Sequence, residues 1–223
     1  MPLCYAYDTA FRSLHIYTVF LCVENFVERF VFLVYNGGKI MEIRSFDEKD
    51  RENCRDICHK TATAPEYVKS KDLVCLLYCD YYLDNEPDNC FVLVDDDDNA
   101  IGYILCGEDQ WAYERAMKPY LKKVRGISFK QWLTHVIEGA LDKSVAKKYP
   151  AHLHIDILPE GQRKGYGSKL FTALEDHLKE KGVSGIRLGV GGDNTGAHKF
   201  YEANGYTLLR DYGKAGRVYA KAF

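Results

Sequence analysis

The 223-residue sequence lacks a charge excess: 30 Lys and Arg stand against 32 Asp and Glu, a formal net charge of −2. With a pI near 6.4, nucleic-acid binding through overall charge is excluded, and only a local basic patch remains open. Proline is scarce, at 6 residues, and the 18 glycines follow no period, so a collagen-like chain is excluded. There is no internal repeat and no low-complexity tract. What remains, 47% apolar and 28% charged, is ordinary for a soluble globular chain, not for disorder or coiled coil. The length is that of one domain, or one plus a small appendage, with room for a sizeable core.

No apolar run is long and uninterrupted enough to span a bilayer. Residues 14–35 (LHIYTVFLCVENFVERFVFLVY) come nearest, but Glu24, Asn25, Glu28 and Arg29 sit at the middle, where charge is costly. No membrane partner is expected. The first residues, MPLCYAYDTAFR, lack a signal-peptide pattern. Eight cysteines make no dense framework, and the expectation is a cytoplasmic protein with reduced thiols. Cys54 and Cys58, then Cys75 and Cys79, repeat a C-x3-C spacing that sets both thiols on one helix face as small core residues. Zinc sites use tighter pairs, so no metal is expected. The acidic run Asp95–Asp98 fails as a calcium loop, because Ala100 and Cys106 stand where Gly and Glu are needed.

Asn36-Gly37-Gly38 divides the chain. Residues 1–40 are an N-terminal extension that carries no functional signal, and translation from Met41 is left open. Residues 41–223 form the main domain. Residues 39–44 alternate as a first strand, 47–61 and 72–83 read as helices, and 90–95 and 100–107 form a hairpin around Asp96–Asn99. Residues 108–150 are a helical insertion of one or two helices, locally basic with nine Lys or Arg and five acids. Residues 153–158 alternate with Leu153, Ile155 and Ile157 on one side and His152, His154, Asp156 and Leu158 on the other. An amphipathic helix follows over 168–181, then a strand over 186–190. A short helix capped by Asp193 or Asn194 and closing strands over 206–210 and 217–222 complete the chain.

Chemistry concentrates between 153–158 and 168–181, in Gln162-Arg163-Lys164-Gly165-Tyr166-Gly167. Glycines let backbone approach a ligand, and the bare N–H groups of a helix start favour an anion. Arg163 and Lys164 add positive charge, so a diphosphate is the natural guest. The spacing is not that of a Walker A loop, and Leu170 stands where a dinucleotide fingerprint needs its third glycine. Further on comes Asn194-x-x-Ala197-x-x-Phe200-Tyr201-x-x-x-Gly205-Tyr206.

These two segments, in strand–loop–helix order, resemble the GNAT superfamily of acetyl-coenzyme A-dependent N-acetyltransferases. The resemblance runs over about 39–223 in element order and is motif-specific over 151–206. It implies an α/β fold with a mixed, mostly antiparallel sheet splayed between the fourth and fifth strands and helices on both faces. Acetyl-CoA would be the co-substrate. Its pantetheine arm would lie in the splay beside Ile157 and Leu158, and its pyrophosphate on the amides of Gln162, Arg163, Lys164, Gly165, Tyr166, Gly167 and Ser168. Asn194, Ala197 and Tyr201 would approach the arm and sulphur. The acceptor would be a primary amine of a small molecule or peptide, attacking directly in a ternary complex.

Tyr201 matches the family's proton donor to the leaving thiolate. For the base, Asp156, His154 and His152 are the candidates, in that order. Ala151-His152-Leu153-His154 looks like the paired-histidine strand of arylalkylamine N-acetyltransferases, with a loop one residue shorter. The glutamate base of histone-type members would fall at Ala151 and is absent. Residues 152–159 also look like the acetyltransferase-like domain of O-GlcNAc hydrolases, which leaves a non-catalytic binding module as the alternative. A homodimer is left open. The acidic stretch Asp80–Asp98, with eight acids and no Lys or Arg, is expected beside the acceptor mouth, opposite the basic insertion.

Overall fold

A computed structural model describes residues 34–36 and 39–223. The expectations for residues 14–33 lie outside the described residues. The sheet comprises β2 (Lys39–Ser45), β3 (Cys90–Val94), β4 (Ala100–Gly107), β5 (Ala151–Ile157), β6 (Gly185–Val190), β7 (Thr207–Asp211) and β8 (Arg217–Ala222); β5 and β6 alternate, whereas β3 and β4 are near-continuous apolar runs buried on both faces. Short β1 (Val34–Asn36) pairs onto β2. The order across the sheet is β1-β2-β3-β4-β5-β6-β8-β7, antiparallel throughout except between β5 and β6. That parallel pair touches only at Ala151↔Ile186 and His152↔Arg187. Beyond His152 the two strands diverge, so the splay expected between the fourth and fifth main-domain strands is present.

Burial follows strand parity, because successive side chains face opposite sides. On one face Leu153, Ile104, Cys106, Ile186 and Leu188 pack against Leu170, Phe171, Leu174 and Leu178 of α8 (Tyr166–Glu180). On the other, Val92, Tyr103 and Leu105 pack against Cys54, Ile57 and Cys58 of α1 (Arg51–Thr61) and Leu73–Leu77 of α3 (Lys71–Tyr78). A short α2 (Pro65–Val68) precedes α3 with proline at its first turn. Cys54, Cys58, Cys75 and Cys79 are free, buried thiols within this second core. Among the described residues no cluster is arranged to hold a metal ion, and no helix is long and apolar enough to cross a membrane.

Three sequence expectations change. The helix expected over 72–83 breaks at Cys79 (φ −135°, ψ −59°) into α3 and α4 (Asp80–Asn85). The break lets Asp80 meet Arg55 of α1 at a nearly buried position. The insertion is three helices rather than one or two: α5 (Gln110–Ala116), α6 (Lys118–Ile127) and α7 (Phe129–Ala146). Asp109 and Ser128 cap α5 and α7 with side-chain acceptors for Ala112 and Gln131 N–H, and Pro119 sits in the first turn of α6. Finally, the acidic stretch is tied into the molecule. Asp84 pairs with Arg51 and takes the Tyr120 hydroxyl, and Glu86 accepts from Tyr81 and Glu108 N–H. Asp98 pairs with Arg44 and Lys49 at the hairpin tip. None of these acids lines the cavity described next.

Candidate active site

The strand-to-helix turn comes first. After β5, Pro159–Gly161 makes one 3-10 turn, and Gln162 Nε2 donates to Ile157 O at 2.7 Å. Gln162 therefore fastens the loop to its strand with its side chain. Arg163 (φ +57°) and Gly165 (φ +82°) both take the left-handed conformation, which glycine alone adopts without strain. That reversal starts α8 with no side-chain cap. Consequently six consecutive backbone N–H groups, residues 163–168, make no hydrogen bond among the described residues; the first bond of the turn is Lys169 N–H to Gly165 O. Bare amides at the positive end of a helix favour an anion, and exposed Arg163 and Lys164 add charge. A Cβ on Gly167 would come within 2.8 Å of Phe200 Cζ, so this glycine permits α8 to approach α9 (Thr195–Ala203). Tyr166 is buried core, with Lys169 Nζ 5.5 Å over its ring. Ser168 is half-buried.

The splay lies beside this loop. Leu158 N–H bonds Ile101 O of β4 at 2.8 Å. By alternation, the main-chain groups of Ile157 and Ile155 turn away from β4 and into the gap. An extended chain entering there finds strand-like partners. The residues present therefore fit a diphosphate joined to an extended arm.

Asn194 and Tyr201 close the far side. The Asn194 side chain accepts from Ala197 N–H at 3.1 Å and caps α9. His198 Nε2 meets Gly192 O at 3.0 Å and holds the preceding turn. Tyr201 is 9% exposed, its ring among Phe171, Phe200, Tyr206 and Tyr219. Burial, and then the charge of Asp156, push its phenol well above the ordinary range, so it is protonated at neutral pH.

On the opposite face of the sheet, a cavity of about 470 Å³ opens beneath the helical insertion. His152 and His154 of β5, Tyr78, Tyr82 and Tyr113 from α3 to α5, and His135 of α7 are among its walls. His154 packs edge-on against Tyr78 and Tyr82, and burial brings its pKa down to about 4. His152 is likewise held well below the ordinary imidazole range, by burial and then by Arg187. Both its ring nitrogens are sealed without a hydrogen-bond partner among the described residues, and its ring fills the space a Cβ on Gly107 would need. His135 is likewise brought to about 4 by burial, with Nε2 3.1 Å from the Tyr113 hydroxyl. Asp156 stands apart from this cavity wall. Its Oδ2 accepts the Tyr103 hydroxyl at 2.6 Å, and burial raises it to about 6 against the lowering effect of Tyr103 and Thr61.

The sequence candidates thus fall on two sides of one gap: His152 and His154 in the cavity, Tyr201 across the sheet, and Asp156 between, close enough to act on Tyr201. Sequence reasoning missed Tyr78, Tyr82, Tyr113, His135, Glu138 and Arg187 as cavity residues. The helical insertion supplies three of them, and nothing in its pattern marks which face turns inward. Arg187 is 2% exposed, with Nη1 bonded to the carbonyls of Tyr149, Pro150 and Ala151 and Nη2 to Gln110.

Solved structures share this architecture. SsHAT is 28% identical at a TM-score of 0.70, covering 82% of this chain and 98% of that one. The polyamine N-acetyltransferase of Drosophila melanogaster, which catalyses formation of N-acetylagmatine, is 15% identical at 0.58, covering 82% and 100%. The PaiA N-acetyltransferase of Thermoplasma acidophilum in complex with coenzyme A is 18% identical at 0.53, covering 82% and 99%. At those identities the last two speak for the fold alone. Residues 51–206 match the model of the acetyltransferase (GNAT) family, and with the splayed sheet and its uncapped glycine turn, the chain belongs to that family of acyltransferases.

Proposed function

We propose that residues 41–223 form an acetyl-CoA-dependent N-acetyltransferase that moves the acetyl group to a primary amine by direct attack in a ternary complex. The observation that carries this reading is the run of six unpaired amides, 163–168, at the open end of the β5–β6 splay. Arg163, Lys164, Gly165, Tyr166, Gly167 and Ser168 supply the pyrophosphate cradle, and Gln162 holds it in place. Ile157 and Leu158 flank the pantetheine arm, with Asn194 and Ala197 across from it. That structures of other family folds contain coenzyme A is consistent with this assignment.

The amine enters from the cavity side. A free alkylamine has a pKa near 10, so only about one in a thousand is unprotonated at pH 7. His154 is the group suited to take the amine's proton: it lines the cavity and is neutral at pH 7. His152 supports it from the sealed end of the strand. Asp156, ranked first from sequence, is engaged by Tyr103 and takes the role of a fixed negative charge behind the site. As nitrogen bonds the thioester carbon, the Ile157 N–H faces the developing oxyanion. The Tyr201 hydroxyl, kept protonated, then donates to the departing thiolate.

The acceptor side fits a small-molecule amine: tyrosines and neutral imidazoles give the cavity apolar and aromatic walls, and Glu138 places a carboxyl group among them. The neighbour that forms N-acetylagmatine also acts on a small-molecule amine, though a cationic one. The test has two arms. Acetyl-CoA at 100 times its Kd should stabilise the protein by about 2.7 kcal/mol in thermal unfolding; no shift would return the chain to a non-catalytic module. A thiol-release screen over monoamines, polyamines, amino acids and peptides should then find at least one acceptor.

A further inference from the structure

Loss of the amine's proton needs a route out of the cavity as well as a first acceptor, and the β5 histidines do not provide one. The ring nitrogens of His152 are sealed. His154 lies between the edges of Tyr78 and Tyr82, with no hydrogen bond leading outward among the described residues. The opposite wall is different. His135 lies on α7, a surface helix that leaves Phe129, Leu133, Val136 and Ile137 exposed. Its Nε2 is already joined to the Tyr113 hydroxyl at 3.1 Å, and both residues line the cavity. Tyr113 in turn packs edge-on to His152, with ring centroids 4.5 Å apart, and on Tyr82. His135 is itself partly exposed, so the Tyr113 hydroxyl bonded to this imidazole makes a short proton path from the cavity wall toward solvent.

We propose that Tyr113 and His135 form the exit by which the acceptor amine's proton leaves the active site. The proposal rests on the acetyl-transfer reading above. As nitrogen bonds the carbonyl carbon, its proton passes to His154 and then, across the cavity that both residues line, to the Tyr113 oxygen. Tyr113 at the same time gives its own proton to His135 Nε2. The phenol stays neutral, the imidazole becomes imidazolium, and the imidazolium loses its proton to bulk water. No electron changes hands and no co-reactant is needed. The low proton affinity that burial gives His135 suits this duty, because the proton is released rather than kept.

The helical insertion that builds the acceptor cavity would thus contribute to proton transfer as well as to shape. His135→Gln keeps a hydrogen-bond acceptor for Tyr113 but cannot carry the proton; Tyr113→Phe removes the bridge. Each should lower kcat at least about tenfold, while KM for the amine and Kd for acetyl-CoA stay within about twofold. Imidazole in solution, with acetylated amine as the measured product, should restore part of the His135→Gln rate and none of the Tyr113→Phe rate. A wild-type kcat in His135→Gln overturns the proposal. So does a loss confined to KM, or a loss that imidazole does not touch. A wild-type protein that binds acetyl-CoA but acetylates no amine would instead overturn the acetyl-transfer reading, and the exit with it.

Discussion

Replacing Gly165 by valine tests the phosphate cradle in isolation. Gly165 sits at φ +82°, and nothing lies within 4 Å of where a Cβ would go. The cost is therefore backbone strain without collision. A β-branched residue held there is worth about 1–3 kcal/mol of strain, against a stability of about 5–15 kcal/mol for a domain, so the fold survives. For a chain of this size that strain lowers Tm by about 2–4 °C per kcal/mol. Relief of the strain turns the 165–167 peptides away from the ligand. Losing two hydrogen bonds to a charged phosphate, at about 1.5–3 kcal/mol each, weakens acetyl-CoA by about 10²–10⁴-fold. Gly182 is the matched control. It ends α8 at φ +76°, its Cβ position is equally open, and it lies at the far end of that helix. Gly182→Val should lower Tm about as much and leave affinity unchanged. Calorimetric titration of both variants decides the matter: Gly165→Val binding within about threefold of wild type would refute the cradle, as would equal losses in both.

Three further outcomes follow from the same geometry. Tyr201→Phe should reduce turnover at least about tenfold with acetyl-CoA affinity nearly intact, and an unchanged kcat would remove Tyr201 as the thiolate's proton donor. Stability should fall as pH drops from about 6.5 toward 4. His154 and His135, at about 4 in the fold, and His152, held well below the ordinary range, stay largely neutral there while the unfolded chain's histidines take up protons. Asp156, raised to about 6, works the other way, its stabilisation being lost as pH rises from about 3.8 through 6. Three histidines outweigh one carboxyl by about two protons, leaving a net slope of about 2–3 kcal/mol per pH unit near pH 5; a Tm that is flat across this range would contradict the buried neutral imidazoles. Gly107→Ala drives a methyl to 2.5 Å from His152 Cε1 and should destabilise by about 1–3 kcal/mol in urea unfolding, whereas a neutral result would mean that the His152 ring moves freely.

Much of the architecture was legible because local rules and the tertiary answer agree. Period-two alternation marked β2, β5 and β6, and a polar turn marked the β3–β4 hairpin; the helix expected from 168 begins two residues earlier, at Tyr166, and of the two candidate caps for α9 it is Asn194 that serves. Asp156 illustrates the limit: its place on the strand face was readable, but not that Tyr103 of β4 engages it, a contact between residues 53 positions apart in the chain. The helix expected over 72–83 has unbroken local propensity, and its break at Cys79 brings Asp80 to Arg55, a partner on another helix. The acidic stretch looked like a charged mouth because residues such as Arg44, Lys49 and Arg51 that neutralise it are distant in sequence.

The amino-acid order by itself determined the strand–turn–helix unit and its chemistry, since glycine's freedom at positive φ and the bare amides of an uncapped helix are local properties of 162–168. Tertiary structure alone decided which imidazoles share a cavity. His135 shares a cavity with His152 and His154 only through the tertiary packing of the helical insertion, and whether a ring nitrogen is sealed or bonded to a neighbour depends on packing from elements far apart along the chain.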